Sequence, residues 1–190
     1  MNLQWEAAWE LHQFLTGRGI PYAIIGGIAV QFWGEPRLTR DVDLTIAAPL
    51  DEPEQVVRAL VERFGSRRSD PLEFARLARV VLIHASNGCP VDISLALPGY
   101  EDSVMQRTID YEIESGKVVQ LCSAEDLIIH KAVAGRPQDR ADIVGVVYRQ
   151  QNKLDVAYIQ MWLHEFVVLL EKPELSESFE EPWRKLHLGK

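Results

Sequence analysis

Two aspartates in the first quarter of the chain have the spacing of a paired carboxylate site. Asp41 and Asp43 alternate with apolar residues from Val42 onward, which predicts a strand with both acids on one face. Converging carboxylates repel each other unless a cation lies between them, and Mg²⁺ is a hard cation that takes carboxylate oxygens as ligands. The D-x-D pair therefore predicts a magnesium site, although a solvated strand face can carry the same pattern.

A third aspartate adds to this prediction. Asp92 lies in the strand-like run 89–96, whose apolar residues alternate and leave Asp92 on the opposite face. We expect this strand to neighbour the strand that carries Asp41 and Asp43. Three carboxylates can hold two divalent ions roughly 3.5–4 Å apart, the arrangement used for in-line phosphoryl displacement. Taken alone, Asp92 would be an ordinary exposed acid of a strand.

A pair of glycines could approach a phosphate. Gly26 and Gly27 lie between an apolar strand-like run, 21–25, and a short helical segment, 28–33. Such a turn lets backbone N–H groups approach a phosphate, and the helix N-terminus favours its negative charge. A tight turn that needs glycine for steric reasons is the alternative. The sequence contains no Walker A pattern and no complete Rossmann fingerprint.

The patterns around these residues predict which elements position them. Apolar residues at helical spacing predict helices over residues 3–16, 28–33, 52–64, 123–135, 137–151 and 155–170. Alternating or β-branched runs predict strands over residues 21–25, 41–46, 79–85, 89–96 and 117–121, the last as an edge strand. Asn87-Gly88 predicts a hairpin turn. Residues 99–116 are ambiguous, and the acidic tail after Pro173 is expected to be only partly ordered.

This order of elements predicts an α+β fold. Residues 1–121 are expected to form an α/β core with a small mixed β-sheet and packed helices. Residues 122–190 are expected to form a helical C-terminal part packed on that core.

Composition restricts the function further. The 190 residues carry 28 acids and 20 bases, a net charge of −8, which excludes a generally basic nucleic-acid coat but not a local basic patch. Cys89 and Cys122 are too few for a disulfide scaffold or a four-cysteine zinc site. No apolar run approaches the ~18 residues of a membrane span, and the acidic N-terminus is unlike a signal peptide. We expect a cytoplasmic protein with no membrane partner.

The first motif resembles that of a known superfamily. The pattern G-G-x-A-(x)6-P-R-x-T-x-D-V-D-L, from Gly26 to Leu44, is similar to the first motif of the DNA-polymerase-β-type nucleotidyltransferases. Its P-R-x-T-x-D-x-D form most resembles the AbiEii-type branch, the nucleotidyltransferase toxins of bacterial toxin–antitoxin and phage-defence systems. The resemblance implies nucleotide binding by Gly26, Gly27, Arg37 and Thr39, and metal binding by Asp41, Asp43 and Asp92. Two Mg²⁺ ions are expected, with Mn²⁺ as the alternative. Many members have Gly-Ser where this chain has Gly26-Gly27, so one hydroxyl contact to phosphate is missing.

A second motif resembles the helical motif of the same branch, K-x(4)-R-x-x-D-x-x-D. Its residues here are Lys131, Arg136, Asp139 and Asp142. The resemblance implies that Lys131 is catalytic and contacts the triphosphate, that Arg136 assists it, and that Asp139 and Asp142 shape the site. Without the first motif, this stretch would be an ordinary helix–turn–helix surface with charge pairs.

Together the motifs predict an enzyme. The expected reaction is metal-dependent transfer of a nucleoside monophosphate from a nucleoside triphosphate to an acceptor hydroxyl on RNA, a protein or a small molecule. A toxin-like member would have a cognate antitoxin protein as partner. The alternatives are an antibiotic nucleotidyltransferase, a metal-dependent glycosyltransferase, and a degenerate module that binds a nucleotide or a partner without catalysis.

Overall fold

A single mixed β-sheet carries the first motif. The computed structural model describes residues 2–48 and 53–188. Within them, six strands form a sheet in the order β3-β4-β2-β1-β6-β5. The strands are β1 (Tyr22–Ile25), β2 (Val42–Ile46), β3 (Val80–His84), β4 (Pro90–Leu95), β5 (Ile109–Glu114) and β6 (Lys117–Leu121). β1 and β2 are antiparallel, β2 and β4 are parallel, and β3 and β4 form the antiparallel hairpin predicted from Asn87-Gly88.

The helices account for most of the remaining described chain. They are α1 (Leu3–Thr16), α2 (Gly26–Trp33), α3 (Pro53–Phe64), α4 (Pro71–Ala78), α5 (Tyr100–Gln106), α6 (Ala124–Ala134), α7 (Pro137–Gln150), α8 (Val156–Leu170) and α9 (Glu174–Leu188). Ser123 caps α6, since its hydroxyl accepts a hydrogen bond from the Asp126 N–H at 3.0 Å. Glu52, the predicted first residue of the third helix, lies outside the described residues. None of the described helices is long and apolar enough to span a membrane.

The observed α+β architecture confirms the predicted fold class. Two local expectations differ from the structure, and a region that the sequence left ambiguous is now assigned. β6 is an inner strand, because it pairs with β1 on one side and with β5 on the other. The ambiguous region 99–116 contains α5 and β5. The acidic tail, expected to be partly ordered, forms α9, because its apolar residues Leu175 and Phe179 are buried on one helical face.

The chain divides into two compact units. The first contains residues 1–28 and 38–122, and therefore holds the whole sheet. The second contains residues 29–37 and 123–190, so the segment that ends at Arg37 groups with the C-terminal helices. The three aspartates Asp41, Asp43 and Asp92 therefore lie in the first unit, whereas Arg37 and the K-x(4)-R-x-x-D-x-x-D residues lie in the second.

Candidate active site

The glycine pair joins β1 to α2 with its backbone against a carboxylate. Gly26 has a φ of +63°, and a Cβ at this residue would overlap the carboxylate of Asp43. The Gly27 N–H donates to Asp43 Oδ2 at 3.4 Å. The antiparallel pairing of β1 with β2, which sets Ile25 opposite Asp43, produces this approach. The turn therefore needs glycine at position 26 for both its conformation and its space, and it places the N-terminus of α2 beside Asp43.

Thr39 occupies the space next to the second glycine. A Cβ at Gly27 would overlap the Thr39 side chain, whose hydroxyl donates to Asp41 Oδ1 at 2.9 Å. The Thr39 carbonyl accepts from Gln4 Nε2 at 3.0 Å, so α1 holds this residue in place. Thr39 thus puts a hydroxyl where the side chain of a serine at position 27 would begin. Gly27 in place of serine therefore removes the serine hydroxyl, but the Thr39 hydroxyl lies beside the same backbone position.

Gly27→Ser is expected to destabilise the protein by about 1–3 kcal/mol, because the added side chain must displace Thr39 in a closely packed turn. Urea unfolding of Gly27→Ser, Thr39→Gly and the double variant measures the coupling between the two positions. We expect the double variant to be more stable than the sum of the single changes predicts. Strictly additive changes would show that Thr39 does not fill the serine position.

The aspartates of β2 and β4 are neighbours. β2 and β4 pair in parallel with Asp43 in register with Asp92, so both side chains leave the same face of the sheet. This confirms the predicted adjacency of the two strands. The apolar residues at alternate positions fix the register, because a slip by one residue would bury the acids and expose the core. Asp41 lies just before β2, and the Thr39 hydroxyl connects it to the turn that contacts Asp43.

The donor chemistry suits a hard divalent cation. Asp43 and Asp92 offer carboxylate oxygens side by side, the ligand type that Mg²⁺ and Mn²⁺ prefer to the sulfur and imidazole ligands common for zinc. Within residues 2–48 and 53–188, no three or more His, Cys, Asp and Glu side chains are grouped closely enough to hold a metal as they stand. The Asp92 carboxylate is instead ion-paired with the Arg67 guanidinium. The residues therefore fit a divalent cation between Asp43 and Asp92, provided that the Asp92 carboxylate gives up its ion pair with Arg67 to bind the cation.

The carboxylate of Glu101 reaches the same face of β2 beyond the aspartates. Thr45 follows Asp43 by two residues, and its hydroxyl donates to Glu101 Oε2 at 3.1 Å. Burial raises the pKa of Glu101, against the lowering effect of the hydrogen bonds from Thr45 and from the Leu97 N–H. Glu101 lies on α5, in the region that the sequence patterns left ambiguous, so no sequence signal placed it beside β2.

The second motif forms a buried ion-pair network in the helical unit. Lys131 Nζ lies 2.9 Å from Asp139 Oδ1 and 2.8 Å from Asp142 Oδ2, and its side chain is 5% exposed. α6 ends at Ala134, the left-handed conformation of its C-cap Gly135 (φ +65°) turns the chain, and Pro137 begins α7. The first turns of α7 present Asp139 and Asp142 on one face, three residues apart. The turn therefore brings both carboxylates onto the lysine.

Two arginines complete the network from outside. Arg136 Nε donates to Asp139 Oδ2 at 2.7 Å, and its side chain is 71% exposed. Arg37 donates to both oxygens of Asp142, from Nε at 2.8 Å and from a terminal nitrogen at 2.9 Å. The arginine of the first motif is thus bound to the last aspartate of the second motif. The resemblance implied nucleotide contacts for Arg37, Lys131 and Arg136, and their pairing with these two carboxylates was not predicted.

The network holds both aspartates in their charged form. Burial acts to raise the pKa of Asp142, but hydrogen bonds from Arg37 and Lys131 outweigh it and lower the pKa to about 2. The same competition lowers the pKa of Asp139, where Arg136 and Lys131 outweigh burial. Three cations thus face two buried carboxylates.

Comparison with known proteins identifies the fold. No family model matches the chain, and neither does any curated protein. Among solved structures, a nucleotidyltransferase-like antigenic protein from Paracoccidioides brasiliensis is 19% identical, with 92% of this chain and 91% of that chain covered and a TM-score of 0.55. The antibiotic-resistance factor ANT(2″)-Ia is 17% identical, with coverages of 90% and 96% and a TM-score of 0.54. The lincosamide antibiotic adenylyltransferase LnuA is 11% identical, with coverages of 77% and 98% and a TM-score of 0.50. At these identities the likeness shows the fold alone, and the chain has the nucleotidyltransferase fold.

Proposed function

We propose that this protein is a nucleotidyltransferase that moves a nucleoside monophosphate from a nucleoside triphosphate to an acceptor hydroxyl. The observation that carries the proposal is the placement of Asp43 and Asp92 at one register of parallel neighbouring strands, on a sheet of the nucleotidyltransferase fold. Because the two carboxylates share a face, they provide the oxygen donors that phosphoryl chemistry on a triphosphate needs.

The residues of the first motif, together with Asp92, receive the following roles. Asp41, Asp43 and Asp92 would hold Mg²⁺, in one or two ions, with Mn²⁺ as the alternative. Bound there, the cation would neutralise phosphate charge and favour ionisation of the attacking hydroxyl. Gly26 and Gly27 would bring backbone N–H groups of the α2 N-terminus close to phosphate oxygens. Thr39 would keep Asp41 oriented through the hydrogen bond from its hydroxyl.

The residues of the second motif receive a more conditional role. The predicted contact between Lys131 and the triphosphate requires its ammonium, which is bound to two carboxylates on a side chain only 5% exposed, to become accessible to a phosphate. Arg136 has the more exposed side chain, so its guanidinium reaches solvent while it still bonds to Asp139. Asp139 and Asp142 shape this part of the protein by fixing three cations.

The direct test supplies each labelled nucleoside triphosphate with Mg²⁺ to the purified full chain. Separate reactions contain total RNA, total protein or a panel of aminoglycosides and lincosamides, and both label transfer and pyrophosphate release are measured. Transfer to any acceptor with equal release of pyrophosphate supports the proposal. Failure of every nucleotide with every acceptor class, under conditions where the nucleotide binds, supports the alternative of a non-catalytic binding module.

The acceptor class has two candidates. The P-R-x-T-x-D-x-D form of the first motif favours the AbiEii-type branch, and hence a toxin that modifies RNA or a protein and has an antitoxin partner. Two proteins of similar fold favour a small-molecule acceptor. ANT(2″)-Ia is an antibiotic-resistance factor, and LnuA is a lincosamide antibiotic adenylyltransferase. Label that appears on RNA and falls steeply with added salt identifies a polyanionic acceptor. Label on a small molecule identifies the second candidate.

Nucleotide and Mg²⁺ together are expected to raise the melting temperature. A ligand that binds only the native state at 100 times its Kd stabilises it by about 2.7 kcal/mol. For a chain of this length, that corresponds to a shift of roughly 5–10 °C. Differential scanning fluorimetry with each nucleoside triphosphate measures the shift. Asp92→Asn should lose most of it, and an unchanged melting temperature of the natural protein at millimolar nucleotide would contradict nucleotide binding.

A further inference from the structure

Arg67 brings a second cation to the candidate metal site. It lies in the segment between α3 and α4, and its guanidinium is ion-paired with the Asp92 carboxylate. Both side chains are partly exposed, Arg67 at 29% and Asp92 at 38%. Neither sequence motif includes Arg67, and the proposed transfer reaction assigns it no role.

The main chain fixes the position from which this guanidinium acts. The Arg67 N–H donates to the Leu82 carbonyl on β3 at 2.9 Å. Leu82 is the register partner of Asp92, and Asp92 is the register partner of Asp43. These four residues therefore follow one row across the sheet, from the edge of β3 to β2. The backbone of Arg67 is bonded at one end of the row, and its side chain passes β3 to reach Asp92.

We propose that Arg67 is a displaceable counter-ion of Asp92, which a divalent cation must release before it can bind both Asp43 and Asp92. The inference rests on the proposed function, because it takes Asp92 as a metal ligand. It adds that Arg67 weakens the binding of metal alone and couples metal binding to nucleotide binding.

Charge and hydration explain the competition. A carboxylate oxygen that accepts from a guanidinium has less negative potential to offer a metal, and the two cations repel each other. Arginine stays charged at every working pH, so the guanidinium does not release Asp92 by losing its proton. A competing cation has to displace it. A partly exposed ion pair contributes little free energy, so displacement is feasible. A triphosphate favours displacement, because it adds oxygens to the metal and offers the released guanidinium an anion.

The test measures Mn²⁺ binding to the full chain without nucleotide, from the electron paramagnetic resonance signal of the free ion. Arg67→Gln is expected to lower the Kd for Mn²⁺ about three- to fivefold. Arg68→Gln is the matched control, since Arg68 lies in the same segment but pairs with Asp70. It should leave the Kd within about twofold of the natural value, because the Arg68 guanidinium is exposed to screening solvent and pairs with Asp70 rather than with a candidate metal ligand. Circular dichroism confirms that each variant is folded.

The outcomes separate the inference from the function on which it rests. If Asp92→Asn weakens Mn²⁺ binding but Arg67→Gln does not strengthen it more than Arg68→Gln does, the metal site stands and the role of Arg67 is refuted. If Asp92→Asn binds Mn²⁺ as well as the natural protein, or if neither the natural protein nor Arg67→Gln binds it, both fail.

A second measurement avoids substitution altogether. In ¹⁵N-labelled natural protein, the Nε–H resonance of Arg67 should shift as Mg²⁺ saturates the site, while that of Arg68 stays in place. An Arg67 resonance that does not respond to saturating Mg²⁺ overturns the proposal.

Discussion

Asp43→Asn is expected to reduce nucleotidyl transfer by about 10³-fold or more, because it removes one of the carboxylates proposed to hold the divalent cation that stabilises the reacting phosphate. The fold should survive, since the asparagine carbonyl can still accept the hydrogen bond that Gly27 donates to Asp43. The loss of one of two neighbouring negative charges also relieves repulsion with Asp92, so the metal-free variant should be at least as stable as the natural protein. Label transfer and urea unfolding measure the two effects separately.

The matched control for this change is Asp110→Asn. Asp110 lies on β5 and its carboxylate accepts from Gln120 Nε2 at 2.6 Å, so this substitution removes the same charge from the same sheet at a distant strand. It should leave the transfer rate unchanged. Full activity of Asp43→Asn, or an equal loss in both variants, would refute the assignment of Asp43 to the reaction.

The strand faces that Asp43 and Asp92 occupy could be predicted because their determinants lie within each strand. The alternation of apolar and acidic residues in each strand fixes which face Asp43 and Asp92 leave, and the structure confirms that the two strands are neighbours. The hairpin turn at Asn87-Gly88 was an equally local signal. Each depends on residues within a few positions of one another, where backbone conformation follows directly from residue type.

The wrong or missing predictions involve partners that are distant in sequence. β6 is an inner strand because Leu121 pairs with Ile24, a neighbour that no local pattern specifies. Arg67 and Asp92 lie 25 residues apart, and no pattern in either segment predicts their ion pair. α9 is a different case, since its buried residues Leu175, Phe179 and Pro182 have helical spacing. The acidic composition of the tail outweighed that pattern in the prediction.

The second motif shows what a family resemblance leaves open. The resemblance selected the right residues for a cluster, because Arg37, Lys131, Arg136, Asp139 and Asp142 all share one network. It implied nucleotide contacts for the three cations and gave no sign of their ion pairs with the two aspartates. A pattern of charged residues indicates that charges meet, but the partner of each charge depends on the tertiary structure. The structural role of the network can be tested without any nucleotide.

Lys131→Met is expected to lower the free energy of unfolding by about 3–5 kcal/mol. The methionine fits the space of the lysine stem, but Asp139 and Asp142 then keep two buried negative charges without the ammonium between them. Replacing both aspartates by asparagine in the Lys131→Met background should restore part of the loss, because the uncompensated charges are removed. Urea unfolding at pH 7 measures all three proteins. Lys185→Met is the control, since Lys185 forms an exposed pair with Glu181 one turn away on α9, and it should not change stability measurably.

The same network sets a pH dependence whose sign follows from the aspartates. Their pKa values are lowered in the folded protein, to about 2 for Asp142, whereas an unfolded aspartate has a pKa of about 3.9. The stability that they contribute is therefore fully present above pH 4 and is lost as the pH falls toward 2. Without the lysine, burial opposes ionisation more effectively and the pKa of Asp142 rises. The stability of Lys131→Met should then fall less steeply between pH 5 and pH 2 than that of the natural protein. Parallel stability curves for the two proteins would show that Lys131 does not hold these carboxylates in their charged form.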